Sequence, residues 1–198
     1  GILGGRAMTR PKPFLPAKLV CGVIHGEASF YEQARTRLVG QFGAIDLESP
    51  PFPFDLTGYY ETEMGPGLRR RFMSFVEPVD PQDLPEIKLL TNGLEEEIGT
   101  AAKEGGRAVN IDPGYLTASA LIMATAKDFS HRIPLRKGIY GHLELLFTKK
   151  GVRLLDWTYP DIRRGPCLDF LLAVRRIHLV ELRDGGPAAR LSRRDRRP

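Results

Sequence analysis

The order of elements constrains this chain more than any single motif. Residues 18–24 (KLVCGVI) form a short run of low polarity that suits an interior strand. Residues 29–42 place Phe30, Tyr31, Ala34, Leu38 and Phe42 at helical spacing, and Gly43 reads as the helix stop. Residues 44–48 alternate as a strand until Ser49-Pro50-Pro51, because proline cannot donate to a ladder. Residues 71–76 (RFMSFV) read as another strand. Asp80-Pro81 and Pro85 then announce a helix whose Leu84, Ile87, Leu90, Leu94, Ile98 and Ala101 recur every three or four residues. Asn92-Gly93 is its weak point, since glycine inside a helix costs about 1 kcal/mol against alanine, and it predicts a bend or a close backbone contact. Gly105-Gly106 ends that helix, and residues 107–111 supply one more strand. The resulting β-α-β-β-α-β order over residues 18–111 predicts an α+β, ferredoxin-like core. Such a core is a four-stranded antiparallel sheet with both helices on one face.

Beyond it, Asp112-Pro113-Gly114 predicts a turn, and residues 116–126 read as a short helix. Strands near 132–135 and 139–147, a turn at Lys149-Lys150-Gly151, a strand at 152–155 and a last helix over 168–182 follow. No Pro- or Gly-rich linker interrupts the body. One domain over 17–182 is therefore expected, a core at 17–112 with an extension at 113–182 packed on it.

Charge narrows the partners. The chain of 198 residues carries a net +5, but its first sixteen residues hold three basic and no acidic groups. Residues 183–198 hold six arginines and two aspartates, which leaves the body slightly acidic. The basic ends read as disordered, solvated arms that can touch nucleic acid without being built for it. No apolar run is long enough for a membrane span, and the opening segment does not read as a signal peptide. Two distant cysteines, Cys21 and Cys167, provide neither a disulfide scaffold nor a zinc knuckle, so a reducing cytoplasm is the expected compartment. The first strand runs into VIHGEASF with only Gly26, and GxxxxGK[ST] and G-x-S-x-G are absent. Rossmann, P-loop and α/β-hydrolase readings lose their support accordingly.

Polar groups then mark where chemistry can reside. Asp46 and Glu48 share a strand face by period two; with Asp55 they can hold Mg²⁺, or they can simply face water. Tyr59 and Tyr60, in the acidic and aromatic connection at 55–65, can stack on a ring or pin that connection to the sheet. In Arg69-Arg70-Arg71, alternation puts Arg69 and Arg71 on one side, with Arg71 a candidate anion clamp beside Asp55 or Glu63. Lys88, Asn92 and Glu95 form a polar stripe opposite the helix core. The densest constellation is Asn110, Asp112, Tyr115, Lys127, Asp128, His131 and Arg132. There Lys127 and Arg132 can neutralise a phosphate or carboxylate, His131 can move a proton, and Asp112 or Asp128 can orient the imidazole. The same groups can instead form a structural salt-bridge network. Trp157-Thr158-Tyr159-Pro160-Asp161 can close over a cleft or cover the core.

Several of these stretches carry a resemblance. Asp46-Leu47-Glu48-Ser49, Tyr59-Tyr60 with Glu63-Met64-Gly65, Thr91-Asn92 with Leu94-Glu95, Asn110 to Tyr115, Lys127 to Arg132 and Trp157 to Asp161 resemble an uncharacterised prokaryotic family, the domain of unknown function 4416. Gly58 stands where the family pattern has an acidic residue. Some members carry a GTP-binding label, but the resemblance implies no established reaction and no catalytic residue. It implies a compact intracellular domain. The expected function is a small enzyme using acid–base chemistry on a phosphate- or carboxylate-bearing metabolite or nucleotide. A non-catalytic nucleotide- or RNA-binding module and a structural partner-binding protein are the alternatives.

Overall fold

The computed structural model describes residues 11–55, 60–101 and 107–184. Strand β1 (Ala17–His25) is buried along its whole length because it runs between two antiparallel neighbours, β4 (Arg69–Val79) and β5 (Val109–Leu116). Helix α1 (Ala28–Phe42) leads to β2 (Ile45–Glu48), which pairs with the far side of β4, as does the short β3 (Phe52–Pro53). A single helical turn, α2 (Glu61–Met64), precedes β4. After β4, the Asp80 carboxylate accepts the Gln82 N–H at 2.9 Å and caps a 3-10 turn that runs into α3 (Leu84–Ala101). These strands lie in the order β2-β4-β1-β5.

Alternate residues of β1 serve two cores. Leu19, Cys21 and Val23 pack with Tyr31, Ala34 and Leu38 of α1 and with Ile87, Leu94 and Ile98 of α3. Val20 points the other way, with Phe72, towards Phe170, Leu171 and Val174 of α4 (Gly165–Asp184). Each fully buried side chain of this size contributes about 1.5–3 kcal/mol relative to exposure, so both sheet faces hold their helices firmly. The fold is mixed α+β, with helices on both faces of one sheet. Helix α3 passes through Asn92-Gly93 unbroken, and a Cβ at Gly93 would meet nothing within 4 Å. Nothing in the structure explains that glycine.

The segment expected as a helix at 116–126 is instead the end of β5, a tight turn and β6 (Ala120–Thr125). Alanine, leucine and methionine favour helix, but Leu121 and Met123 are claimed by the α4 core, and tertiary packing overrides propensity. Thr117 fixes the turn: its Oγ1 accepts the Ala120 N–H at 3.0 Å, and its own N–H donates to the Ala120 carbonyl at 2.9 Å. Strands β7 (Ile133–Pro134), β8 (Tyr140–Thr148) and β9 (Gly151–Leu154) continue the same sheet, β6 and β7 both pairing with β8, as does β9. The extension thus lengthens the sheet through β5 and also lays α4 on the face of the core strands.

Asp112-Pro113-Gly114 is likewise no turn but the interior of β5. Thr117 and Tyr115 direct their backbone polar groups towards β6, so by period two Pro113 and Ile111 do as well. Pairing with β6 runs Leu116↔Leu121, Tyr115↔Ile122, Gly114↔Met123 and ends there. A Cβ on Gly114 would lie 2.6 Å from the Ile122 carbonyl oxygen, so glycine permits this last close approach. The next ladder donor would be the N–H of residue 113, which proline lacks. Strands β5 and β6 separate at that point.

Candidate functional site

The separation of β5 from β6 opens a cavity of about 1170 Å³. Helix α3 contributes Lys88, Asn92 and Glu95, β5 contributes Asn110 and Asp112, and β4 contributes Arg70. Phe54, Tyr60 and Glu63 form a second wall, Ala124 to Lys127 a third, and Tyr159 to Ile162 a fourth.

Two α3 side chains replace the strand that β5 has lost. The Ile111 N–H donates to Glu95 Oε1 at 2.7 Å, and the Ile111 carbonyl accepts from Lys88 Nζ at 2.8 Å. A buried backbone group left unpaired costs about 1–3 kcal/mol, so this pair is what allows β5 to remain extended with an open edge. The stripe of Lys88 and Glu95 therefore does not face water; both side chains are buried.

Arg70 crosses β1 to reach the same place. A Cβ on Gly22 would sit 2.6 Å from Phe72 Cε1 and 2.7 Å from Arg70 Nη2, so the glycine clears the guanidinium's path. Arg70 Nη2 meets Asp112 Oδ2 at 3.0 Å and Nη1 meets Asp161 Oδ2 at 3.1 Å. Asn110 Nδ2 donates to the same Asp112 Oδ2 at 2.8 Å, and Lys88 Nζ lies 3.8 Å from Oδ1. Arg107 Nη2 pairs with Glu95 Oε2 at 2.6 Å, and its Nη1 lies 3.8 Å from Glu63. Burial opposes ionisation of Asp112, yet Arg70 and Lys88 outweigh it and hold the carboxyl below its usual pKa. Burial dominates at Glu95 and pushes its pKa up, against Lys88 and Arg107.

Behind the fourth wall lies a stack of rings. His131 lies flat on Trp157 with centroids 4.8 Å apart and meets His142 edge-on; His142 lies flat on Tyr159 at 4.9 Å. Arg132 ties this stack to the rim: Nη2 donates to Tyr159 Oη at 2.7 Å, Nη1 to the Lys127 carbonyl at 2.7 Å, and Nε to His142 Nδ1 at 3.2 Å. Because Nδ1 accepts, the ring proton of His142 belongs on Nε2, 3.0 Å from the buried Glu144 carboxylate. Glu144 Oε1 in turn accepts the Tyr159 N–H at 2.5 Å and fixes the loop that carries Tyr159 and Asp161.

Of the residues singled out in the sequence, Tyr60, Lys88, Asn92, Asn110, Asp112 and Lys127 meet at the cavity. His131 and Arg132 stand behind its wall, and Asp128 is exposed on the adjoining loop. Asp112 does not orient His131; its partners are Arg70, Asn110 and Lys88, because β5 aims it across the sheet. Tyr115 packs with Leu84, Ala124 and Ile139 rather than projecting off a turn. Tyr59 lies outside the described residues. The three carboxylates expected to gather round Mg²⁺ do not converge. A register shift between Ile45 and Leu47 breaks the alternation of β2. Asp46 therefore reaches Lys18 at 2.6 Å and Ser74, whereas Glu48 turns to the α1 side and accepts from Tyr31 at 2.5 Å. Asp55 pairs with Arg164. Among the described residues no group of three His, Cys, Asp or Glu is placed to hold a metal ion. Arg71 is beside Glu48 at 3.8 Å and over the Tyr31 ring, not beside Asp55 or Glu63. Sequence reasoning missed Arg70, Arg107, His142 and Glu144. Alternation did turn Arg70 away from its two neighbours, which was the available signal; His142 and Glu144 gave none, because the loop that buries them comes later in the chain.

Among the described residues no helix is long and apolar enough to cross a membrane. No curated protein and no solved structure matches the chain. A family model described as Domain of unknown function (DUF4416) matches residues 15–178, a range that contains every wall of the cavity. The stretches that carried the resemblance supply much of its charged and aromatic lining, and the chain belongs to that family.

Proposed function

We propose that the cavity between β5 and β6 is the ligand site of a small enzyme that uses acid–base chemistry on a metabolite bearing one phosphate or carboxylate. The observation that supports this best is the convergence of Lys88, Asn110, Asp112, Arg70 and Asp161 from separate elements on one hollow. Burying so many charges is costly unless they are paired, and a packed apolar interior would be the cheaper way to close the sheet. In this reading Asp112, ionised and facing the hollow, accepts a proton or hydrogen bond from the ligand. Lys127 and Asn92 hold the anionic group at the mouth, and Tyr60 and Tyr159 flank it. His131 acts through the ring stack behind Tyr159. Glu63, Glu95, Glu96, Asp112 and Asp161 face Arg70, Lys88, Arg107 and Lys127 around the lining, so the site has no strong positive potential. That balance favours a metabolite with one anionic group over a polyphosphate nucleotide or RNA. The order β2-β4-β1-β5 with α1 and α3 on one face supports reading the first half as ferredoxin-like. Two buried free thiols, Cys21 and Cys167, fit a reducing cytoplasm.

The test is mass spectrometry of small molecules released by denaturing gently purified protein, joined to a crystal structure of the same material. A phosphorylated or carboxylated compound seated between Lys127 and Asp112 is the expected result. A cavity holding only water, together with no thermal shift from a panel of phosphates and carboxylates, would remove the proposal.

A further inference from the structure

Resting on that reading of the cavity as a ligand site, we infer that its floor recognises a cationic nitrogen: the ligand carries a protonated amine or amidine that donates to Asp112 and to the Ala124 carbonyl. In the ion pairs that Asp112 makes, the acid is the member that meets the cavity. The Asp112 side chain is 25% exposed, whereas Arg70 and Lys88 beside it are 6% and 8% exposed. A ligand entering the hollow reaches the carboxylate first, with both cations covered behind it. Those cations are also committed: Lys88 to the Ile111 carbonyl, Arg70 to Asp112 and Asp161 together. An anion arriving at the floor would have to displace a buried carboxylate from its partner. A nitrogen donor displaces nothing.

The second acceptor comes from the backbone. Ala124 follows Met123, the last β6 residue paired to β5, and its carbonyl is the group that a donor at position 113 would have served. Proline leaves that carbonyl without a ladder donor, on the opposite bank of the split from Asp112. Phe54, Tyr60 and Tyr159 add aromatic surface to the walls, which favours a flat or cationic group. With Lys127 at the mouth, the cavity is polarised for a zwitterion whose cationic end lies inward.

Benzamidine and benzoate share a ring and a size but differ in the sign of their charge, and they separate the two cases. Both are titrated against the full chain by NMR and soaked into crystals. Benzamidine is expected to bind about tenfold more tightly than benzoate, with its amidinium on Asp112, and Asp112→Asn is expected to level the two. Should that variant fail to fold, Pro113→Ala restores an N–H opposite Ala124 and is expected to weaken benzamidine several-fold while leaving benzoate unchanged. Tighter binding of benzoate in the cavity overturns this inference and leaves the anion-site proposal standing. A benzamidine preference untouched by either substitution overturns it as well. Failure of both probes to enter the cavity at their solubility limits overturns the inference and the ligand site beneath it.

Discussion

Two buried ionic networks lie on the same sheet, and only one of them opens onto space. Lys18, fully buried, meets Asp46 at 2.6 Å and Glu181 at 2.7 Å, tying β1 to β2 and α4. Ser74 donates to the other oxygen of Asp46 at 2.5 Å. Arg70, also buried, meets Asp112 at 3.0 Å and Asp161 at 3.1 Å. Charge content does not separate them; backbone pairing does. Lys18 lies where β1 is flanked on both sides, opposite Pro78 and Leu116, whereas Asp112 lies where β5 has already parted from β6. Desolvated charge is therefore a poor marker of function by itself. A proline that ends a ladder beside such charge is a better one.

Breaking the closed network should have the largest effect on stability and none on the cavity. Lys18→Met leaves the half-buried Asp46 and Glu181 without their shared cation, and a loss of up to about 3–5 kcal/mol is expected, read by urea denaturation. Benzamidine affinity of the folded fraction should stay at the wild-type value; a change there would show that the two networks are coupled. Next in size is a pH effect. Burial beside Lys18 lowers the pKa of His178 from 6.5 to about 4. Between those values the unfolded chain takes up a proton that the folded ring refuses, so stability must fall as pH drops through that window. A loss on the order of 3 kcal/mol from pH 7 to pH 4 is expected, and His178→Gln should abolish that part of the slope. Asp112 has the same sign in a lower pH window. Its depressed pKa contributes stability above the ordinary carboxylate value of 3.8, lost only as pH falls below it. Acid should thus loosen the closed network before the open one.

Gly22→Ala turns to the open side. The new methyl would press on the Phe72 ring and the Arg70 guanidinium, both held by neighbours, so about 1–3 kcal/mol is expected from overpacking. Displacing Arg70 also releases Asp112, so benzamidine affinity should change along with stability. An unchanged affinity would mean that Arg70 does not set the position of Asp112.

What could be read from the chain follows from which forces are local. The β1-to-β5 order was legible because apolar spacing reports burial directly, and Leu19, Cys21 and Val23 against Ile87, Leu94 and Ile98 form the expected layer. Three of the seven residues in the dense constellation, Asn110, Asp112 and Lys127, did reach one cavity with Lys88 and Asn92. Pro113 was misread because Asp-Pro-Gly is turn chemistry when neighbours are ignored, and only the register with β6 shows that position to be where pairing ends. Asp46 and Glu48 were put on one face because a bulge leaves no trace in a four-residue alternation. His131 was expected to touch a ligand, yet its place was decided by Trp157 and His142, neither of which is near it in sequence.

The smallest expected effect discriminates most finely between the networks. Asn92 lies on α3 between Lys88 and Glu95, partly exposed, and lines the cavity. Asparagine is a poorer helix former than alanine, so Asn92→Ala should leave stability within about 0.5 kcal/mol or raise it slightly. Gly93→Ala, with open space around the new methyl, should stabilise by about 1 kcal/mol and serves as the control on the same turn. If Asn92 holds the ligand's anionic end, its alanine variant alone should lose affinity for a zwitterionic ligand, while benzamidine, which has no anionic end, binds as before. Equal behaviour of the two variants would make Asn92 ordinary helix surface. In the closed network each charged side chain is tied to another, so removing one there should cost stability without touching ligand affinity. A position where the chain gives up helix stability for a polar group is the mark that distinguishes the open network.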